Sequence, residues 1–288
     1  MMRTRNPRPR LRPARKYKFR YILYALAFFA IVPPVFFHFK LKHFQKMQMK
    51  KCSWLSSPPL VCAHGGDSSR AFPNTMAAYH IALRSQVDCI EIDVSRSSDG
   101  VLFALHDRDL QRISGNSSSR VGYMSMKEIN ELVPDDPAEL EFHDNKIPTI
   151  EDALKVERTH CKNCLVWAKS DNLARDVMRL SSDVMVGYIV MKDPSTGVRT
   201  NLLRISGAGV VGVFHQLIDK NLVKVLHGRN KKVFAWTVDD RFAMQKMLHE
   251  NVDAIVTGNP TLLQRLMQDT RTQCLEEGFS FSRGDFNI

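Results

Sequence analysis

The chain has 288 residues, enough for one large domain with an appendage. Its formal charge is +11, yet residues 1–51 hold fourteen Lys and Arg and no acid, so the remainder carries a net −3. Nucleic-acid recognition wants charge on a folded face with aromatics among it, and a basic tail on a slightly acidic domain argues against any nucleic-acid partner.

Residues 1–20 read as a basic cytoplasmic tail. Residues 21–37, YILYALAFFAIVPPVFF, carry no charge and show no polar stripe. As a helix they span about 25 Å at 1.5 Å per residue, the short end of a bilayer core. The segment is predicted to be a transmembrane signal anchor, with Pro33-Pro34 kinking or ending the helix. Nine Lys or Arg precede it and five follow, which puts the N-terminus in the cytoplasm and the rest in a lumen or outside the cell. The long basic leader and the lack of a small-residue cleavage site count against a cleaved signal peptide. Without Ser in residues 1–52, an organelle transit peptide fits poorly. Residues 38–59 read as a linker closing on Ser-Ser-Pro-Pro.

From Leu60 onward short apolar runs alternate with amphipathic stretches, the signature of a parallel α/β fold. Strands are predicted at 60–64, 89–94, 101–106, 165–169, 185–190, 210–214, 233–238 and 254–257. Helices are predicted at 74–85, from 150, and at 172–180, 202–205, 220–229, 241–250 and 261–269. Asp99-Gly100 signals a tight turn, so 101–106 forms a hairpin with the strand before it. That leaves seven βα units where a closed barrel has eight. The shortage falls between the helix at 150 and the strand at 165, where the charged bridge KVERTHCKN has no room for a unit of about 30 residues. The domain is assigned to 60–269, and 270–288 is read as a polar C-terminal tail.

Three motifs carry chemistry: His64-Gly65-Gly66, Glu91-Ile92-Asp93 and Leu105-His106-Asp107. A lone His-Asp is common, and a Glu-x-Asp on a strand is most often a solvated face. Here Cys89, Ile90, Ile92 and Val94 make the other face apolar, and all three motifs end consecutive strands. Strand period puts Glu91 and Asp93 on one face, where two carboxylates repel unless a cation lies between them. A hard divalent metal is the natural occupant. His64 and His106 supply an acid and a base for phosphate-ester hydrolysis. His215 and Asp219 follow a strand and could lie near the pocket mouth, though a loop His is more often just solvated, and Met244 and Met247 read as core. Cys161-x-x-Cys164 lacks a second pair, which favours a local disulfide or two thiols over zinc. Asn116-Ser117-Ser118 is a glycosylation sequon usable in a lumen.

Read together, AHGG, FPNT, EIDV, SSDG and LHDRDL resemble the ordered motifs of the glycerophosphodiester phosphodiesterases, whose fold is a βα barrel. IPTIEDAL, FAWTVDD and VDAIVTGNP extend the likeness over Leu60 to Leu266. Gly65 and the anchor look most like the plant membrane-anchored members. The resemblance implies an α/β TIM-type βα barrel lacking its third βα unit, behind an N-terminal transmembrane helix. It implies metal-dependent hydrolysis of a glycerophosphodiester to glycerol 3-phosphate and an alcohol. His64 and His106 would be the catalytic pair, Glu91 and Asp93 ligands of calcium or magnesium, and Trp236 a wall of the substrate pocket.

The chain departs from that pattern at four places. Gly65 replaces a phosphate-contacting arginine, Pro73 a glutamate and Gly258 an aspartate. The third strand, with its acidic ligand and lysine, is missing, and Lys169 reads as part of the fourth strand rather than as that lysine. The expectation is an enzyme with reduced or absent activity. The alternative is an inactive relative that binds phosphodiesters or a partner.

Overall fold

The computed structural model describes residues 14–132, 147–157, 165–168, 170–180, 185–193 and 195–279. The chain divides into two compact units, Met1–Lys50 and Lys51–Ile288. The first is built on α1 (Ala14–Cys52), whose apolar side chains from Phe19 to Phe39 are exposed and which is long and apolar enough to cross a membrane. The helix does not end at Pro33-Pro34, which excludes one of the two outcomes expected there. The prolines are adjacent, so the donors they lack fall on a single turn and the helix resumes beyond it.

The second unit starts earlier and ends later than its sequence pattern indicates. Cys52 and the turn Ser53–Ser56 belong to it, with Trp54 and Leu55 buried in its main core, so the stretch before Leu60 is not a free linker. At the other end α9 (Pro260–Glu276) runs past residue 269. Its buried face, Leu263, Leu266, Thr270 and Cys274, keeps helical spacing into the stretch read as tail. Cys52 and Cys274 are joined by a disulfide, and a second joins Cys62 to Cys89. Cys161 and Cys164 lie outside the described residues.

Seven parallel strands form one curled sheet: β1 (Leu60–His64), β2 (Cys89–Glu91), β5 (Leu165–Ala168), β6 (Met185–Val190), β7 (Val210–Phe214), β8 (Lys232–Trp236) and β9 (Ala254–Thr257). Their order is β2-β1-β9-β8-β7-β6-β5, so the first strand pairs with the last as in a barrel. Among the described residues no strand joins β2 to β5, and that is where the third βα unit was expected. β3 (Val94–Arg96) and β4 (Leu102–Ala104) form the antiparallel hairpin foreseen at Asp99-Gly100.

Around the sheet lie α2 (Met76–Arg84), α3 (Asp107–Ser114), α4 (Met126–Leu132), α5 (Ile150–Glu157), α6 (Asp171–Leu180), α7 (Lys220–His227) and α8 (Arg241–Glu250). α3 and α4 were not foreseen, and 202–205 is a turn rather than a helix. Strand alternation sorts the side chains. Val61, Val211, Val213, Val233, Ala235 and Ile255 share the outer core with Leu222, Leu226, Met244, Met247 and Leu263. Cys62, Val210, Phe234, Ala254 and Val256 form the inner layer of the curl. Period 2 then sends His64, Glu91, Phe214 and Trp236, the last residues of their strands, to the inner side as well.

The Cys52–Cys274 bond closes a sequence separation of 222 residues. Replacing Cys274 by Ala is expected to lower unfolding free energy by about 2–4 kcal/mol, read from chemical denaturation under non-reducing conditions.

Candidate active site

β1 delivers His64 to the rim, and the chain then turns through Gly65 (φ 62°) and Gly66 (φ 85°). A Cβ at Gly66 would lie 2.5 Å from the Ala78 carbonyl carbon, so α2 can pack there only against glycine. At Gly65 a Cβ would meet Pro73 Cβ at 3.0 Å in a left-handed backbone that favours glycine over arginine. The Gly65 N–H instead donates to the Glu91 backbone carbonyl at 3.0 Å and to Glu91 Oε2 at 3.2 Å.

Register does the rest. His64 is the Cα partner of Glu91, and His64 Nε2 lies 3.9 Å from Glu91 Oε2. After Glu91 the chain leaves the sheet, and Asp93 comes to the same place two residues later. One ligand atom from each of His64, Glu91 and Asp93 lies within 4.8 Å of the others. Two partly buried carboxylates at that separation suit a hard divalent cation, which prefers oxygen donors. Asp93 Oδ2 accepts from Asn74 Nδ2 at 3.1 Å, while Oδ1 has no hydrogen-bond donor among the described residues. The donor set therefore fits calcium or magnesium, with His64 beside the carboxylates.

His106 stands at the N-cap of α3, where its Nδ1 accepts from the Arg108 backbone N–H at 3.1 Å. A neutral imidazole that accepts at Nδ1 carries its proton on Nε2. Its neighbour Asp107 is structural, accepting from Val121 N–H at 3.0 Å. Trp236 ends β8 with its ring centroid 5.8 Å from that of Phe214. His64, Glu91, Asp93, His106 and Trp236 all line one cavity of about 1820 Å³ that runs down the curl to Leu60 and Lys232. That exceeds the roughly 300–1,000 Å³ of an ordinary ligand pocket, in keeping with a curl open between β2 and β5.

Other positions stand apart from this cluster. The exposed Asn116 accepts from Ser118 N–H in a surface turn and is not among the residues that line the cavity. Asp219 caps α7, and burial beside Phe214 lowers the pKa of His215. Lys169 lies outside the described residues. At Gly258 a Cβ would lie 2.5 Å from Ser68 Oγ, and Asp239 Oδ1 accepts from the Gly258 N–H at 2.7 Å. Ser69 N–H donates to the Gly258 carbonyl at 2.9 Å and Ser68 Oγ to the same oxygen at 3.4 Å, so the loop after β1 is tied to the loop after β9.

Two residues near the site escaped the sequence reading. Asn74 lies inside FPNT, where the sequence alone gives it no role. Asp109, on the first turn of α3, is the other. Burial raises its pKa against the pull of Arg112, and the charge of Asp93 raises it further. Its signal was the second Asp of HDRDL, legible only once a helix begins at Asp107.

The glycerophosphoryl diester phosphodiesterase family profile matches residues 64–174, and a dermonecrotic toxin SPH profile matches 214–274. Glycerophosphodiester phosphodiesterase GDPD4 of Arabidopsis thaliana is 54% identical over 298 aligned positions, taking in 93% of this chain and 90% of that protein. The chain belongs to the glycerophosphodiester phosphodiesterase family. Since 93% of 288 residues is about 268, roughly 30 aligned positions face gaps in this chain. An Oleispira antarctica phosphodiesterase, solved with the product sn-glycerol-3-phosphate, shares the fold at TM-score 0.59 and 21% identity over 73% of this chain and 97% of that one. The glycerophosphodiester phosphodiesterase of Thermotoga maritima does so at TM-score 0.55 and 20% identity, over 72% and 98%.

A carboxylate whose folded pKa is raised loses stability as pH climbs from its unfolded value through the folded one. Asp109→Asn is therefore expected to melt higher than wild type at neutral pH without added metal. The two should converge below pH 3.8, where the wild-type acid is protonated in both states. Thermal melts across pH read the difference.

Proposed function

We propose that this chain hydrolyses glycerophosphodiesters to glycerol 3-phosphate and a free alcohol. The observation that carries the reading is the convergence of His64, Glu91 and Asp93 at the rim of a family barrel. Glu91 and Asp93 would hold calcium or magnesium, which when bound neutralises charge building on the phosphate. His64, next to Glu91, takes the proton from the attacking water as its oxygen bonds to phosphorus. His106, in its imidazolium form, gives a proton to the alkoxide as the phosphorus–oxygen bond breaks and is left as the neutral ring. Trp236 offers an apolar wall for the glycerol end.

The chain is read as membrane-anchored through α1, like the plant members, with a cytoplasmic N-terminus and the barrel in a lumen or outside the cell. Nine basic residues before the apolar span against five after it favour that orientation. Two disulfides in the barrel unit and the exposed sequon at Asn116 agree with an oxidising compartment.

The open side bears on rate. Among the described residues β2, which carries Glu91, pairs along one edge only, and a misplacement of about 1 Å can lower rate by about two orders of magnitude. Activity below that of closed relatives follows. A second reading, a binding protein without turnover, draws on the same open edge and on Gly65.

The test is turnover of glycerophosphocholine by the full chain in detergent, with and without calcium or magnesium. Metal-dependent activity that falls by about 10²–10⁴ in His106→Ala is expected. No turnover from a cooperatively folded chain would favour the binding reading instead.

A further inference from the structure

Asp93 is the least supported part of the acidic pair. β2 ends at Glu91 and β3 begins at Val94, so Asp93 has no ladder partner on either side. What holds it is Asn74, fully buried at φ 62° just before Thr75, the N-cap of α2. Asn74 Oδ1 accepts from the Asp93 backbone N–H at 3.1 Å, and Asn74 Nδ2 donates to Asp93 Oδ2 at 3.1 Å. One amide thus grips one residue at main chain and side chain, which fixes the torsions between the two points.

The amide has a single orientation. A backbone N–H can only donate, so the oxygen must face it and the nitrogen must face the carboxylate. Tyr79, buried on α2, adds its hydroxyl at 3.1 Å to the same Oδ1. Asn74 also donates its own backbone N–H to the Gly65 carbonyl at 2.7 Å, next to His64. The left-handed backbone suits asparagine better than any other residue with a branched or long side chain.

We propose that Asn74, oriented by Tyr79, is a positioning residue for the divalent cation: it occupies Asp93 Oδ2 and presents Oδ1 as the ligand. The inference rests on the reading of Glu91 and Asp93 as metal ligands. It assigns Asn74 no contact with metal or substrate. Partners of this kind typically change metal affinity by about 10–100-fold when removed.

The experiment is calorimetric titration of calcium, and separately magnesium, into the full chain in detergent, which reads binding without turnover. Asn74→Gly keeps a backbone that tolerates positive φ and removes both bonds to Asp93. It is expected to weaken calcium binding about 10–100-fold while still melting cooperatively in EDTA. Tyr79→Phe removes only the orienting hydroxyl and is expected to weaken binding about two- to tenfold. A folded Asn74→Gly chain with wild-type affinity overturns the proposal and leaves the metal reading standing. If Asn74→Gly does not fold, unchanged affinity in Tyr79→Phe overturns it. A wild-type chain that binds neither cation overturns the metal reading and this proposal together.

Discussion

The pairing of β1 with β2 is the constraint on which the site depends. It runs through Cys62↔Cys89, Ala63↔Ile90 and His64↔Glu91, and the last of these pairs is the chemistry. In a sheet with side-chain period 2, a slip of one residue turns His64 toward the helices and Val61 into the curl. Both chains leave the sheet just beyond that row, through Gly65-Gly66 on one side and Ile92-Asp93 on the other. The two departures are tied together by Gly65 N–H on Glu91 and by Asn74 between Gly65 and Asp93.

A closed barrel would flank β2 on both edges, and here one edge has no strand among the described residues. Support comes from behind instead. Ile90 and Ile92 pack against a small core of Tyr79, Ala104 and Ala153, which joins α2, β4 and α5. β4 is in turn held by Ala104 N–H to the Pro148 carbonyl and by a bridge from Phe103 to Thr149. The acids are therefore braced by packing on the helix side, which fixes their depth better than their position along the missing neighbour.

The barrel was legible because its inner and outer positions alternate so regularly, as in Val61-Cys62-Ala63-His64 and Val233-Phe234-Ala235-Trp236. The missing unit was legible because a charged bridge is too short for a strand and helix. α3 and α4 were not, since DRDLQRIS is nearly all polar and its helix starts from an unusual histidine cap. The domain ends were misjudged because Cys52 and Cys274 are far apart in sequence, and nothing local shows that each buries against the other's neighbourhood. Asp93 could be read from spacing, but Asn74 could not be linked to it, for that contact crosses nineteen positions and exists only in three dimensions.

An incomplete barrel raises the question of why the opening stays at one place. The answer lies in how the opposite seam is closed. β1 pairs with β9 over four residue pairs, from Leu60↔Ala254 to Ala63↔Thr257. The chain flanking that seam is then tied again: Cys52 to Cys274, Lys51 to Glu277 at 2.6 Å, and Gln264 Nε2 to the Ser85 carbonyl. The exposed Lys51 pair adds little by itself, because solvent screens it. The disulfide acts mainly on the unfolded chain, removing the freedom of a very long loop. Burial of Trp54 and Leu55 beneath it adds apolar area on the same side. With the first and last strands held this way, the unpaired edges among the described residues fall at β2 and β5, and the β1–β9 seam on the other side of His64 stays closed.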